Sequence, residues 1–173
     1  MQRWLKFVKY LDRFQYHPIV FTPENPERPV IDKSLSKDIP ESVEVIKLPI
    51  WEPYDFYRRF LGLSKEEKVS TGFLTEKKAR PGLLQKLSVW IRGNCFIPDA
   101  RVFWVKPAIR YLKRYLDSNG IRNIITTGPP HSMHLIGLGL KDCYEDLNWI
   151  ADFRDPWTNI DYYKDLMLTG RSD

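Results

Sequence analysis

"IRNIITTGPPHSMHLIGLGLKDCYEDLNWIADF", residues 121–153, is the stretch that decides the fold. Its opening "IRNIIT" (121–126) is a short β-branched run, "SMHLIGLGL" (132–140) reads as a helix with Ser132 as its N-cap, and "LNWIADF" (147–153) is a second strand. A strand, a helix and a strand in succession imply parallel pairing through a right-handed crossover. Strands this continuously apolar imply burial on both faces.

The same alternation extends towards the N-terminus. Residues 2–14 place Trp4, Phe7, Val8, Leu11 and Phe14 at three- and four-residue steps, with Lys6, Lys9 and Asp12 opposite, which is an amphipathic helix that needs a sheet to cover. "PIVFT" (18–22) and "VEVIKL" (43–48) read as strands. Between them, Pro23, Pro26, Pro29 and Pro40 mark a loop. After Pro49 comes "WEPYDFYRRFLGL", then a Lys- and Glu-rich loop through Arg80, then two helical stripes. Leu83, Leu84, Leu87, Trp90 and Ile91 form the first; Val105, Ala108, Ile109, Leu112 and Leu116 form the second, which Asn119 and Gly120 close. The expected architecture is a single α/β domain, residues 1–173, built on a Rossmann-like parallel sheet with helices on both faces. In such sheets the carboxyl ends of the strands open onto the ligand crevice, so the loops after Thr126 and Ile150 should face it. That placement explains why the apolar run of "NWIADFRDPWT" (148–158) ends in charges. One feature does not fit, because a doubly wound domain normally has its first strand at the centre and this chain begins with a helix.

Composition bounds the partners. With 43% hydrophobic residues and 14% aromatics, 173 residues suffice for a buried core. No apolar run approaches the ~18 residues of a membrane span, and Arg3 and Lys6 interrupt any secretory signal, so a cytoplasmic location is expected. Cys95 and Cys143 are far apart, each without a neighbouring thiol, and read as reduced structural residues. The net charge of +5 is local in origin: residues 58–114 hold fourteen Lys or Arg against four Asp or Glu, while the rest of the chain sums to minus five. A nucleic-acid module would use that basic stretch, but no helix-turn-helix, RNA-binding or zinc signature accompanies it, so nucleic acid is not an expected partner.

Several residues are candidates for chemistry. His131 stands just before a helix N-terminus, where N–H groups and the helix dipole favour anions; it can bind a sugar or phosphate oxygen, or merely cap its own loop. His134 reads as a helix-surface or packing residue, and two histidines three apart make a poor metal site, so no metal is expected. Asp152 and Arg154, two apart, can share a side of the strand end and either position the loop or touch ligand. Asp155 before Pro156 has the pattern of an N-cap and first helical residue, starting a helix with Trp157 and Ile160. "WEPYDFYRRFLGL" interleaves aromatics with Arg58 and Arg59, and Lys106, Arg110 and Lys113 share a helix face. Both suit a peripheral contact with an anionic membrane surface, against the alternative that the aromatics are core.

"QRWLKFVKYL", "STGFLTEKK", "FIPDARVFWVKPA", "ITTGPPHSMHLIGLGLK" and "DFRDPWT", in that order, resemble the N-terminal domain of bacterial retaining glycosyltransferases of the GT-B fold, the large group 1 family. The resemblance covers nearly the whole chain and is strongest in "TTGPPHS" and "DFRDPW". It implies transfer of a sugar from a nucleotide-sugar donor to a saccharide or lipid-linked acceptor in cell-surface polysaccharide synthesis, with no cofactor and no metal. In family terms this domain mostly binds the acceptor. Gly128, Pro129, His131 and Ser132 would line the cleft, with His131 as the catalytic candidate and Asp152 and Arg154 as substrate-binding residues. The family opens with a hydrophobic strand and a glycine-rich loop over the donor phosphates; Met1 stands in their place here, and Gln2 and Arg3 would follow that loop. Removing a central strand would leave its neighbours roughly 10 Å apart with unpaired edges. The second domain, which in the family holds most donor contacts, would follow "LTGRSD". The 173 residues are therefore expected to be inactive alone, and a non-catalytic ligand-binding or scaffold domain is the alternative.

Overall fold

The computed structural model describes residues 2–26, 39–53, 90–91, 93–155 and 169–170. The chain divides into two compact units, Met1–Ile50 and Trp51–Asp173, where one domain is expected from the sequence. Expectations that fall on Arg58, Arg59, the stripe from Leu83 to Leu87, Trp157 and Ile160 lie outside the described residues.

In the first unit, helix α1 (Gln2–Leu11) is followed by a 3-10 turn, Asp12–Phe14, so the expected helix over residues 2–14 loses its last turn. The turn ends at Gln15, whose φ of 63° is left-handed. Only part of the apolar stripe is covered: Val8 is buried, whereas Phe7 and Phe14 are 49% and 70% exposed. Strand β1 (Ile19–Pro23) pairs in parallel with β2 (Glu44–Leu48), Phe21 beside Ile46. The Asn25 side chain accepts from the Ile50 N–H at 2.9 Å and ties off the far end of the pair.

The second unit contains helix α2 (Val102–Asn119), strand β3 (Asn123–Gly128), helix α3 (Ser132–Lys141) and strand β4 (Asn148–Phe153). α2 buries Trp104, Val105, Ala108 and Leu116, with Ala108 fully enclosed. It ends at Gly120, whose φ of 63° needs no Cβ penalty; the Gly120 and Ile121 N–H groups both bond to Leu116 O. That capping consumes Ile121, which is why β3 begins at Asn123 and not at residue 121. At the other end of α2, Glu52 accepts from Arg101 Nε at 3.0 Å while only 7% exposed, and Trp51 packs edge-on against Phe103.

β3 and β4 are parallel and in register from Asn123 beside Asn148 to Gly128 beside Phe153. Two glycines let α3 lie between its neighbours. A Cβ on Gly137 would meet Trp149 Nε1 at 2.3 Å, so glycine admits the β4 indole against the helix; a Cβ on Gly139 would meet Ile109 Cδ1 at 2.4 Å, so glycine admits α2. Lys141 at the end of α3 donates to the carbonyls of Glu145 and Leu147 and fixes the turn into β4.

The fold is thus mixed α/β with parallel strand pairs and helices. A single continuous sheet is not formed among the described residues: β1 pairs with β2 and β3 with β4, as two separate sheets. Burial on both faces, expected from the apolar strands, is also absent from the second pair. Alternation turns Ile124, Thr126 and Gly128, with Trp149, Ala151 and Phe153, to the α3 side, while Ile125 and Ile150 on the other face are 47% and 61% exposed. Cys95 and Cys143 are both free and exposed. No described helix is long and apolar enough to cross a membrane.

Candidate functional site at the strand tips

Parallel pairing puts the carboxyl ends of β3 and β4 side by side, and the chain then ties them together. The Arg154 N–H bonds to Gly128 O at 3.3 Å, Arg154 Nε bonds to the same oxygen at 3.0 Å, and Arg154 Nη2 reaches Pro129 O at 3.1 Å. One step back, Thr127 Oγ1 donates to Asp152 Oδ2 at 2.9 Å. Gly128, Pro129, His131, Ser132, Asp152 and Arg154 therefore all lie at one end of the second unit. The Gly128–Pro129 and Pro129–Pro130 peptide bonds there are cis.

β4 ends at Phe153, one residue short of Arg154. The Arg154 side chain folds back over the β3 loop through its bonds to the Gly128 and Pro129 carbonyls.

The start of α3 departs from expectation. Ser132 is the first helical residue; His131 occupies the cap position with φ −75° and ψ −19°, a helical conformation from which its side chain makes no capping bond. The cap comes from 33 residues earlier. Asp99 accepts the Ser132 N–H at 2.8 Å and the Ser132 hydroxyl at 2.7 Å, while its Oδ1 also accepts the Arg101 N–H at 2.9 Å. One carboxylate thereby satisfies donors at the starts of two helices. Ser132 is fully buried, and the Met133 and His134 N–H groups bond to Pro130 O and His131 O. The N-terminus of α3, expected to attract an anionic ligand beside His131, is filled by the chain's own carboxylate.

His134 is a packing residue, 4% exposed, and more central than its neighbour. Its Nδ1 lies 2.9 Å from Thr126 Oγ1, and that oxygen accepts from Trp149 Nε1 at 2.9 Å. Its ring stacks on Phe153 with centroids 3.9 Å apart; His131 lies 5.9 Å from the same phenyl ring and 6.0 Å from His134. Gly128 makes room for both imidazoles: a Cβ there would stand 2.7 Å from His134 Nε2 and 3.2 Å from His131 Nδ1. Burial, then the nearby His131, hold the His134 imidazole below the ordinary histidine range, partly offset by the Asp152 carboxylate.

The tips thus offer a half-buried imidazole and the 54%-exposed Phe153 ring on the α3 side, an arginine edge at the loop, and the Asp152 carboxylate beside Thr127 on the adjoining face. Such a surface can hydrogen-bond hydroxyl groups and stack on an apolar ring face. No group of three or more potential metal ligands occurs among the described residues. Asp99, Thr126, Thr127, Trp149 and Phe153 enter the site unforeseen. Of these, strand alternation alone could have put Thr126 on the side of Gly128, and Trp149 with Phe153 on one side of β4; the register joins the two sets.

Of the remaining candidates, Arg3 lies exposed on α1 in the first unit, and Asp155 is exposed at the edge of the described residues. Lys106, Arg110 and Lys113 are exposed along α2. Beside them, Pro107, Arg110, Tyr111, Arg114, Tyr115 and Ser118 line a shallow open depression, with Tyr111 and Tyr115 stacked at 6.3 Å. No protein-family model, curated protein or solved structure matches the chain.

Proposed function

We propose that the chain is the acceptor-side domain of a retaining glycosyltransferase, a Rossmann-like half of a GT-B enzyme, and that the tips of β3 and β4 form its saccharide wall. The observation that carries this reading is the convergence of His131, Asp152, Phe153 and Arg154 at one end of a parallel strand pair, the position where open α/β sheets bind ligands. The resemblance in "TTGPPHS" and "DFRDPW" adds the reaction class, because those motifs are the two tips.

The capped helix favours acceptor over donor. With Asp99 on the Ser132 N–H, this helix start opposes a diphosphate, whereas neutral hydroxyls of a sugar acceptor meet no such repulsion. In this reading His131 hydrogen-bonds a reacting or neighbouring sugar oxygen, Asp152 accepts from a hydroxyl, Phe153 packs on the ring face, and Arg154 keeps the Gly128–Pro129 carbonyls in place. Nucleotide-sugar binding falls mainly to a second domain. The basic face of α2 supports peripheral contact with an anionic membrane that carries a lipid-linked acceptor.

Ligand-observed NMR with a panel of oligosaccharides and nucleotide sugars tests the proposal. Saccharide binding that His131→Ala abolishes, with weak nucleotide-sugar binding, is the expected result; saccharide binding indifferent to His131→Ala, or none at all, would overturn it. A non-catalytic ligand-binding domain would use the same wall, and turnover of donor separates the two.

A further inference from the structure

Trp149, Thr126 and His134 form a chain of side-chain contacts that the sugar-binding reading does not use. An indole N–H can only donate, so Thr126 Oγ1 accepts from Trp149 Nε1. A hydroxyl polarised by that bond is a better donor of its own proton, and the polar atom at 2.9 Å is His134 Nδ1. With Nδ1 accepting, the proton of the neutral ring sits on Nε2. That nitrogen is buried, has no hydrogen-bond partner among the described residues, and closes on the same point beside Gly128 as His131 Nδ1.

We infer that this chain is a positioning relay: it holds His134 as the Nε2–H tautomer and, through the shared contacts with Gly128 and Phe153, sets the orientation of the His131 ring at the strand tips. Trp149 anchors the relay because its indole is itself fixed against Gly137. Phe153 transmits it, since its ring stacks with both imidazoles. His134 is a positioning residue, shielded from any ligand by its burial. Its neutral state belongs to the same arrangement, because protonating Nδ1 would reverse the Thr126 bond. The charged or titratable groups around the ring are His131 from the same helix turn and Asp152 from β4.

Only the consequence for sugar binding rests on the acceptor-site reading; the tautomer does not. The test is nitrogen-15 NMR of the histidine side chains in the 173-residue chain, for the native protein, Thr126→Val and Thr126→Ser. The native protein should show His134 with a bare Nδ1 and a protonated Nε2. Thr126→Val should yield a mixture of tautomers and move the His131 resonances, and Thr126→Ser should restore both. In oligosaccharide titrations Thr126→Val should weaken binding several-fold although Thr126 touches no ligand. A native His134 protonated on Nδ1, which needs no variant to observe, overturns the relay, as does a folded Thr126→Val whose His131 and His134 signals stay unmoved. Correct tautomers with no saccharide binding by the native chain would instead count against the acceptor-site reading.

Discussion

Removing the Asp99 carboxylate should loosen the strand-tip end of the second unit by a calculable amount. Asp99→Ala deletes the cap of α3, a loss of about 1 kcal/mol, and strands the buried Ser132 hydroxyl, a further 1–3 kcal/mol or so. The expected destabilisation is about 2–4 kcal/mol, or roughly 4–16 °C in melting temperature for a chain of this size. Ser132→Ala should cost only about 1 kcal/mol, because the Asp99 carboxylate keeps its bonds to the backbone N–H groups of Ser132 and Arg101. In the Ser132→Ala background Asp99→Ala no longer strands a hydroxyl, so the two changes should be less than additive by about 1–3 kcal/mol. Urea denaturation of the four proteins in a double-mutant cycle measures this coupling. Additivity within about 0.5 kcal/mol would refute the bond between the Ser132 hydroxyl and the Asp99 carboxylate.

Three more outcomes are expected. Because His134 has a depressed pKa in the folded state, the unfolded chain binds more protons near and below pH 6.5; its contribution to stability should be complete above that value and fall away as the pH drops. Unfolding free energies measured from pH 5 to 8 should show this slope, and His134→Gln should flatten it. Gly137→Ala should lower the melting temperature, because a Cβ 2.3 Å from a pinned indole overpacks by about 1–3 kcal/mol while helix propensity returns at most about 1 kcal/mol. Reversing charge at Lys106, Arg110 and Lys113 together should reduce partitioning onto anionic vesicles by at least about a hundredfold. Equal flotation of native and reversed proteins would remove that surface as a membrane contact.

What the sequence made legible was local. The β-branched run at 121–126 and the apolar run at 147–153 announced strands, and the helix between them required that they be parallel, so the meeting of their tips followed from connectivity. Residue-by-residue chemistry was harder to read, because it depended on partners distant in the chain. Asp99 stands three residues before α2, and nothing local marks its bonds to Ser132, 33 residues on. Trp104, 2% exposed, is buried beside the stripe of Val105 and Ala108, because a helical face about 100° wide takes in such neighbours. His134 was one of two readings, surface or packing. The choice turned on Thr126 and Trp149, which reach it only once the register of β3 and β4 is known. The division into two units had no sequence marker, because each strand run looked equally able to join one sheet.

The claim on which the account depends is that the ends of β3 and β4 together bind a saccharide. Backbone amide chemical shifts followed during oligosaccharide titration test it most directly. The account predicts that the perturbed amides cluster at Gly128, His131, Ser132 and Phe153 to Asp155, with the open depression on α2 silent. Shifts confined to α2 or to the first unit, with the strand tips unmoved at saturating sugar, would contradict it.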